Sequence, residues 1–443
     1  MIEQIVDCVI EMMNTPDHYD VVVFGAGVSG VPAALAAARC GARVLLVEKT
    51  GLTGGTVTNA AVAAPAMFNA WGRQVIGGIG WELVANTLRE EGKPLPDFTA
   101  LDAHDHVGSA VWINPLLFAC LCDEALQKDG VELSLHSMPT ELTPTADGWQ
   151  ITLVTKEGLW TVTASQVVDC TGDGDAARLA AAPFQPYEEC QPGTLSFCIS
   201  GFNPETVDYD ALGTALKQAQ EKGELQPGDV WWCGEHLPDS PESLAGMWRF
   251  FLGRGGMNAN HVSQPDPDCP GARTAFELAG RASVLRVWRF LKRQPGFENV
   301  SFALRSSECG CRESRRIDSL QNVTADDYRN GVRFPEMVCY SFYPLDLHDD
   351  HCGLSVERLR EGVFPTVPRG ALVPREVRNL VVAGRLVGSD RLANSALRIQ
   401  ATCMATGQAA GALAALAAQH RQTPGEVDYA LLRQTLLAQG AIL

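Results

Sequence analysis

The chain has 443 residues, 46% hydrophobic and 20% charged, enough apolar material for about two or three domain-sized units with buried cores. That balance excludes a disordered tail, a fibre or a membrane-span protein. Its 35 Lys and Arg against 52 Asp and Glu leave a net charge of −17, a field that repels polyphosphate backbones and speaks against nucleic acid as a partner.

The 14 Cys are scattered, which reads as thiols kept reduced in a cytoplasmic setting and not as a secreted disulfide framework. Residues 1–17 form an N-terminal extension in which Glu3, Asp7 and Glu11 interrupt what an export signal would need as an unbroken apolar run. The longest uncharged stretch, Ala401 to Ala418, is rich in Ala and carries Gln408, which fits a buried helix of a soluble fold better than a membrane span.

The first segment with a mechanism is Tyr19 to Lys49. An apolar run, Val21 to Phe24, meets the turn Gly25-Ala26-Gly27-Val28-Ser29-Gly30, then an Ala-rich helix, then a second run from Arg43 to Val47 that ends in Glu48. This is a βαβ pattern. Gly25 permits the tight turn, Gly27 lets the backbone approach a pyrophosphate at the helix N-terminus, and Gly30 lets helix and strand lie close. Glu48, 18 residues after Gly30, is placed to accept hydrogen bonds from ribose hydroxyls. The fingerprint alone does not choose between NAD and FAD. Gly54 and Gly55, with Thr56 after them, favour the bulkier dinucleotide, because a second glycine pair lets the chain fold over it.

Asn114-Pro115 predicts an N-cap and first position of a helix reaching Ala125. Strands are expected over Val131 to His136, Trp149 to Thr155 and Trp160 to Val168, separated by Gly-containing turns. The last leads into Asp169-Cys170-Thr171-Gly172-Asp173-Gly174-Asp175, a ligand-binding position at a strand's carboxyl end; a calcium loop would need a downstream bidentate Glu. Near the end, Asn379 to Arg385 reads as a strand and turn, followed by a polar loop to Asn394 and a long helix from Ser395 to about Ala418. Gly407, Gly411 and their Ala neighbours share one helix face, allowing close approach of another backbone or of a flat ring.

Together with Pro295-Gly296-Phe297-Glu298-Asn299, Gly310-Cys311-Arg312-Glu313-Ser314-Arg315-Arg316-Ile317 and Gly407-Gln408-Ala409-Ala410-Gly411, these strings resemble the FAD-dependent oxidoreductase family over nearly the whole chain. The resemblance implies an α/β fold, a Rossmann-like FAD-binding domain of glutathione-reductase type with an inserted α+β substrate domain. The expected boundaries are 18–190 and 370–443 for the FAD-binding domain and 191–369 for the insert. It implies FAD as cofactor, with the adenosine end on Gly25, Ala26, Gly27, Ser29, Gly30 and Glu48. Lys49, Gly54, Gly55, Thr56 and the backbone near Met138 come next, and the flavin end lies near Thr171, Gly172, Asp173, Gly384, Arg385 and Ala396. Cys170 stands where the family commonly has Ala, and Cys309 and Cys311 flank Gly310, which leaves open a part for thiols.

Two places are candidates for catalysis. Arg312, Arg315 and Arg316 beside Glu313 form either an anion clamp or an internal salt-bridge network, and Arg312 and Arg316 are the expected catalytic members. In Tyr343-Pro344-Leu345-Asp346-Leu347-His348 an extended backbone puts Asp346 and His348 on one side, and a neutral His348 suits acceptance of a substrate proton. His348, His351 and Cys352 do not have a standard zinc spacing, so no metal is expected. A small-molecule substrate oxidised by hydride transfer is the expected activity, with a homo-oligomer or an electron-acceptor protein as the open partner question. An NAD-linked dehydrogenase and a FAD-holding electron-transfer subunit remain the alternatives.

Overall fold

The structure, a computed structural model, describes residues 17–186, 189–230, 238 and 240–443. Residues 1–16 of the N-terminal extension and the Trp231-Trp232 pair lie outside the described residues.

Strand β1 (Asp17–Phe24) runs through the glycine turn into helix α1 (Gly30–Arg39), and β2 (Val44–Val47) returns beside β1 in parallel. Val21 and Val23 enter one core while Val22 and Phe24 enter another on the opposite face, as the two-residue period of a strand requires. A short hairpin, β3 (Asn69–Ala70) and β4 (Arg73–Gln74), precedes α2 (Gly78–Glu90) and α3 (Pro115–Lys128). Asn114 caps α3 by accepting from the N–H groups of Leu116 and Leu117 at 3.0 and 3.1 Å.

The strand expected over Val131 to His136 is trimmed to β5 (Glu132–Ser134), because His136 turns the backbone out of the extended region with φ 52°. An antiparallel meander follows: β6 (Met138–Thr145), β7 (Gly148–Thr155) and β8 (Gly158–Asp169). After the short α4 (Asp175–Leu179) come β9 (Phe197–Ser200), α5 (Tyr209–Glu221), α6 (Pro241–Gly253), α7 (Ala272–Leu291) and β10 (Ser301–Leu304), which pairs antiparallel with β9. Trp248, Phe251, Phe290 and Phe297 give these elements a core of their own, with the Trp248 and Phe290 rings stacked at 5.5 Å.

Next are α8 (Ala325–Arg329), β11 (Met337–Tyr340), the hairpin β12 (Leu345–Asp349) and β13 (Gly353–Glu357), and β14 (Thr366–Pro368). Their apolar side chains, Tyr328, Val338, Phe342 and Val367 among them, join the core that α1 shares with the sheet. Strand β15 (Leu380–Val382) then leads to α9 (Arg391–Leu397), α10 (Gln400–His420) and α11 (Tyr429–Ala438).

The main sheet runs β5-β2-β1-β8-β7-β6, with β15 added against β8. β8 is its pivot. It pairs with β1 in parallel on one side; on the other, its first half takes β7 antiparallel and Val167 to Asp169 take β15 in parallel. Both ends of the chain therefore meet at Asp169.

The single long helix expected from Ser395 is two helices, broken at Arg398 and Ile399, where Ile399 is extended at φ −71° and ψ 144°. Asp390 caps the first one by accepting from the Ala393 N–H at 2.7 Å, so Asn394 lies inside α9 and not in a loop. The glycine face of α10 is used against backbone: a Cβ on Gly407 would sit 2.0 Å from the Ser29 carbonyl oxygen, and one on Gly411 1.9 Å from that of Ala33. α10 is long and apolar enough to cross a membrane, but 89% of its apolar window is buried inside the fold.

Candidate functional site

Strands β2, β1, β8 and β15 all end at one edge of the sheet, and the residues after them open a cleft. Of the expected cofactor positions, Gly25, Gly27, Ser29, Glu48 and Lys49 line it, as do Gly55, Thr56, Thr171, Gly172, Asp173 and Arg385. Gly25 has φ 88°, and a Cβ there would meet the Cys170 carbonyl oxygen at 2.7 Å, so only glycine lets β1 and β8 end side by side. At Gly27 an added Cβ has Gly55 Cα at 3.7 Å as its nearest neighbour, so a side chain would grow into the cleft.

Ala26, Gly30 and Gly54 shape the cleft without lining it. The Gly54 N–H donates to the Ala26 carbonyl at 2.8 Å, clamping the second glycine turn onto the first. Buried Glu48 accepts from the Ala26 N–H at 2.7 Å through Oε2, and from the Thr50 N–H and hydroxyl at 2.8 and 2.9 Å through Oε1. Oε2 keeps a lone pair for a further donor. Glycine backbone with room beside it, a fixed buried acid and the N-terminus of α1 fit an adenine dinucleotide.

Midway along the cleft, Asp173 accepts from Arg385 at 2.7 Å and is also paired with Arg273, while Arg385 donates to the Cys311 carbonyl at 2.7 Å. Burial works to raise the Asp173 carboxyl, but Arg385, Arg273 and Lys49 overcome it and hold it far below the usual range. Asp169, at the pivot, is structural: it accepts from the Thr171 N–H and hydroxyl and from the Ala177 N–H, and burial pushes it up to about 6.

The inner end is built from side chains. On β12, Asp346 Oδ2 lies 3.3 Å from His348 Nε2, and His348 Nδ1 lies 2.8 Å from His261 Nε2. Burial opposes ionisation of Asp346, yet the hydrogen bond from His348 and the guanidiniums of Arg398 and Arg312 hold it at about 2. Burial and Arg312 push His348 down to about 3, against the pull of Asp346. An ionised Asp346 can only accept, so His348 donates from Nε2 and, being neutral, accepts at Nδ1 from His261 Nε2–H. Arg312 donates to the Pro192 carbonyl at 2.7 Å and to Asn258 Oδ1 at 2.8 Å.

The structure does not bring every expected residue to the cleft. Arg316 is buried and paired with Glu313, which also accepts from the Gln191 N–H and Arg391 Nε at 3.1 Å each; this is the internal network, and Arg316 does not line the cleft. The Met138 side chain is exposed at the start of β6 and does not line the cleft, but the backbone just before it adjoins the cleft acid, the Ser137 N–H donating to the Glu48 carbonyl at 2.9 Å. Ala396 is fully buried in α9; Ile399, Gln400 and Cys403, after the helix break, line the cleft instead. Gly384, with φ 71°, packs on Ser29 and does not line it. Cys170, Cys309, Cys311 and Cys403 do line it, but burial pushes the thiols of Cys309 and Cys403 up to about 12 and that of Cys170 further, so these three carry no thiolate character. His351 is exposed and faces Glu189 at 3.2 Å, apart from His348.

Sequence reasoning missed His261, Arg254 and Arg398. Nothing local marked the first two; Arg398 could have been found as a cation inside an otherwise apolar helical run.

A cleft at a topological switch point, floored by a glycine turn and ended by a buried Asp–His pair, defines a dinucleotide-dependent oxidoreductase. Residues 20–436 match the model of the family described as FAD dependent oxidoreductase, and the chain belongs to that family. It is a flavoprotein, with FAD as its cofactor. Among solved structures it is similar to CabE, an aromatic hydroxylase from angucycline biosynthesis, at 13% identity over 95% of this chain and 66% of that one, with a TM-score of 0.44. A geranylgeranyl bacteriochlorophyll reductase-like protein of Thermoplasma acidophilum gives 13% identity, coverage of 96% and 84%, and a TM-score of 0.42. OxyS anhydrotetracycline hydroxylase from Streptomyces rimosus gives 21% identity over 40% of this chain and a TM-score of 0.28, and the chain spans only 38% of its length. No curated protein sequence matches the chain significantly.

Proposed function

We propose that the protein transfers a hydride between a small organic substrate, at a C–OH, C–N or C–C bond, and FAD held in the cleft. The observation that supports this is the Asp346–His348 pair, buried in the same cleft as the glycine turn. In this reading residues 18–190 and 370–443 form a glutathione-reductase-type unit, with 191–369 as the inserted substrate part. Within that part, the elements from β9 to β10 have their own core, whereas α8 to β14 pack with the FAD-binding unit.

FAD bound there supplies the two-electron acceptor. The chain's own contribution is to orient the substrate, exclude water and take the proton that leaves an O–H or N–H as the hydride departs. His348 receives it at Nδ1, the substrate's hydrogen bond replacing that of His261, and the imidazolium is stabilised by Asp346.

The test is anaerobic bleaching of the flavin absorbance by a panel of alcohols, amines and saturated acyl compounds. A member of the panel is expected to bleach the wild type, and His348→Ala to slow that bleaching at least about 100-fold with FAD content unchanged. An unchanged rate, or loss of FAD from the variant, would assign His348 to structure alone.

A further inference from the structure

We infer that the substrate carries a carboxylate and that Arg398 and Arg312 hold it at the inner end of the cleft. This rests on the hydride-transfer reading, since it names the substrate class for the same site. Among the described residues lining the cleft, Arg312 and Arg398 both act on the Asp346 carboxylate. Burial pushes His348 and His106 down and keeps both neutral, and it pushes the Tyr343 hydroxyl up. Farther out, Asp173 is matched by Arg385 and Arg273, and Glu308 by Lys49 at 3.8 Å.

Arg398 is the residue least provided for. Its side chain is 10% exposed, its buried Nε has no partner, and its Nη2 contacts Asp346 O, Gln191 Oε1 and Asp346 Oδ2 at 3.1, 3.3 and 3.4 Å. Charge-assisted bonds are typically about 2.7–2.9 Å, so this guanidinium is positioned without being saturated. Arg312 is fixed beside it by Pro192 and by Asn258, a non-glycine residue held at φ 44°. Fixed planar forks match a planar, bidentate anion, and Val107, Trp112 and Leu354 on the same cleft suit a short carbon body.

The chemistry gains from this arrangement. Arg312 is one of the groups that keep His348 from accepting a proton, and a bound carboxylate offsets that charge. The substrate's own anion thus makes His348 a better base as it binds.

The experiment is a titration of the anaerobic holoprotein with oxalate, malonate and succinate, read as a saturable perturbation of the flavin absorbance. Malonamide serves as the neutral isostere, inorganic phosphate as the tetrahedral anion, and sodium chloride holds ionic strength constant. At least one dicarboxylate is expected to saturate where malonamide and phosphate do not. Arg398→Gln is expected to weaken it at least about tenfold, and Arg398→Lys by less, with FAD content unchanged in both. Should Arg398→Gln lose FAD, the wild-type contrast between dicarboxylate and malonamide decides alone. No perturbation by any of the three acids, equal affinity in the Arg398→Gln holoprotein, or binding of phosphate in their place would overturn the inference. Saturable binding without bleaching by any 2-hydroxy or 2-amino acid would sink the hydride reading and leave the anion site standing; bleaching by neutral substrates alone would do the reverse.

Discussion

The outer and inner ends of the cleft are built by opposite means. The outer end is backbone: glycine turns after β1 and β2, and a buried acid whose oxygens are oriented by main-chain N–H groups. The inner end is side chain: Arg254 and His261, Arg312, Asp346 and His348, and Arg398 arrive from separate stretches of sequence. A backbone cradle depends on the fold itself and tolerates no added atoms. A side-chain cluster depends on its partners and tolerates substitution at the expense of chemistry.

The largest effect is expected where cradle and fold coincide. In Gly407→Val the Cβ alone would sit 2.0 Å from the Ser29 carbonyl oxygen, so α10 cannot lie on α1, and the expected outcome is an insoluble or flavin-free protein. A yellow, cooperatively unfolding variant would show that the two helices need not touch. Next comes the ion pair outside the cleft. Arg316→Met leaves buried Glu313 with Arg391 and the Gln191 N–H as partners and is expected to destabilise the protein by roughly 1.5–3 kcal/mol, without slowing flavin reduction in the protein that stays folded. Denaturant unfolding together with a rate per bound flavin checks this; a stable but slow variant would return Arg316 to the chemistry.

The difference in construction also explains what could be read in advance. The front βαβ unit, the Asn114 cap and strands β7 and β8 follow from local pattern, because turn glycines, caps and alternation act over a few residues. The break at Arg398 does not: the polar run Gly388 to Asn394 reads equally as a loop until Asp390 is seen to cap α9. His261 carries no local signal, since its meaning comes from His348, 87 residues later. Arg312 and Arg316 are chemically alike and four residues apart, and only tertiary placement sends one to the cleft and the other to Glu313.

The smallest expected effect is one of pH. His348 is held at about 3 in the fold and titrates near 6.5 when unfolded, so between those values the unfolded chain binds the extra proton. Its contribution to stability is present above about 6.5 and is lost as pH falls toward 3. Asp346, held at about 2, adds a loss in the same direction below its unfolded value near 3.8; Asp169, raised to about 6, opposes both by stabilising the fold as it protonates. His348→Gln should therefore show a shallower fall in unfolding free energy than the wild type between pH 7 and pH 4.5. Parallel curves would mean that His348 is not kept neutral by burial.

The separation of the two ends is tested most directly by the FAD content per chain of two purified variants measured side by side. Gly27→Val, whose side chain enters the outer cleft, is expected to retain almost none. His348→Ala is expected to retain as much as the wild type. Equal retention in both, or loss confined to His348→Ala, would contradict the account of a backbone cradle for FAD and a side-chain site for the substrate.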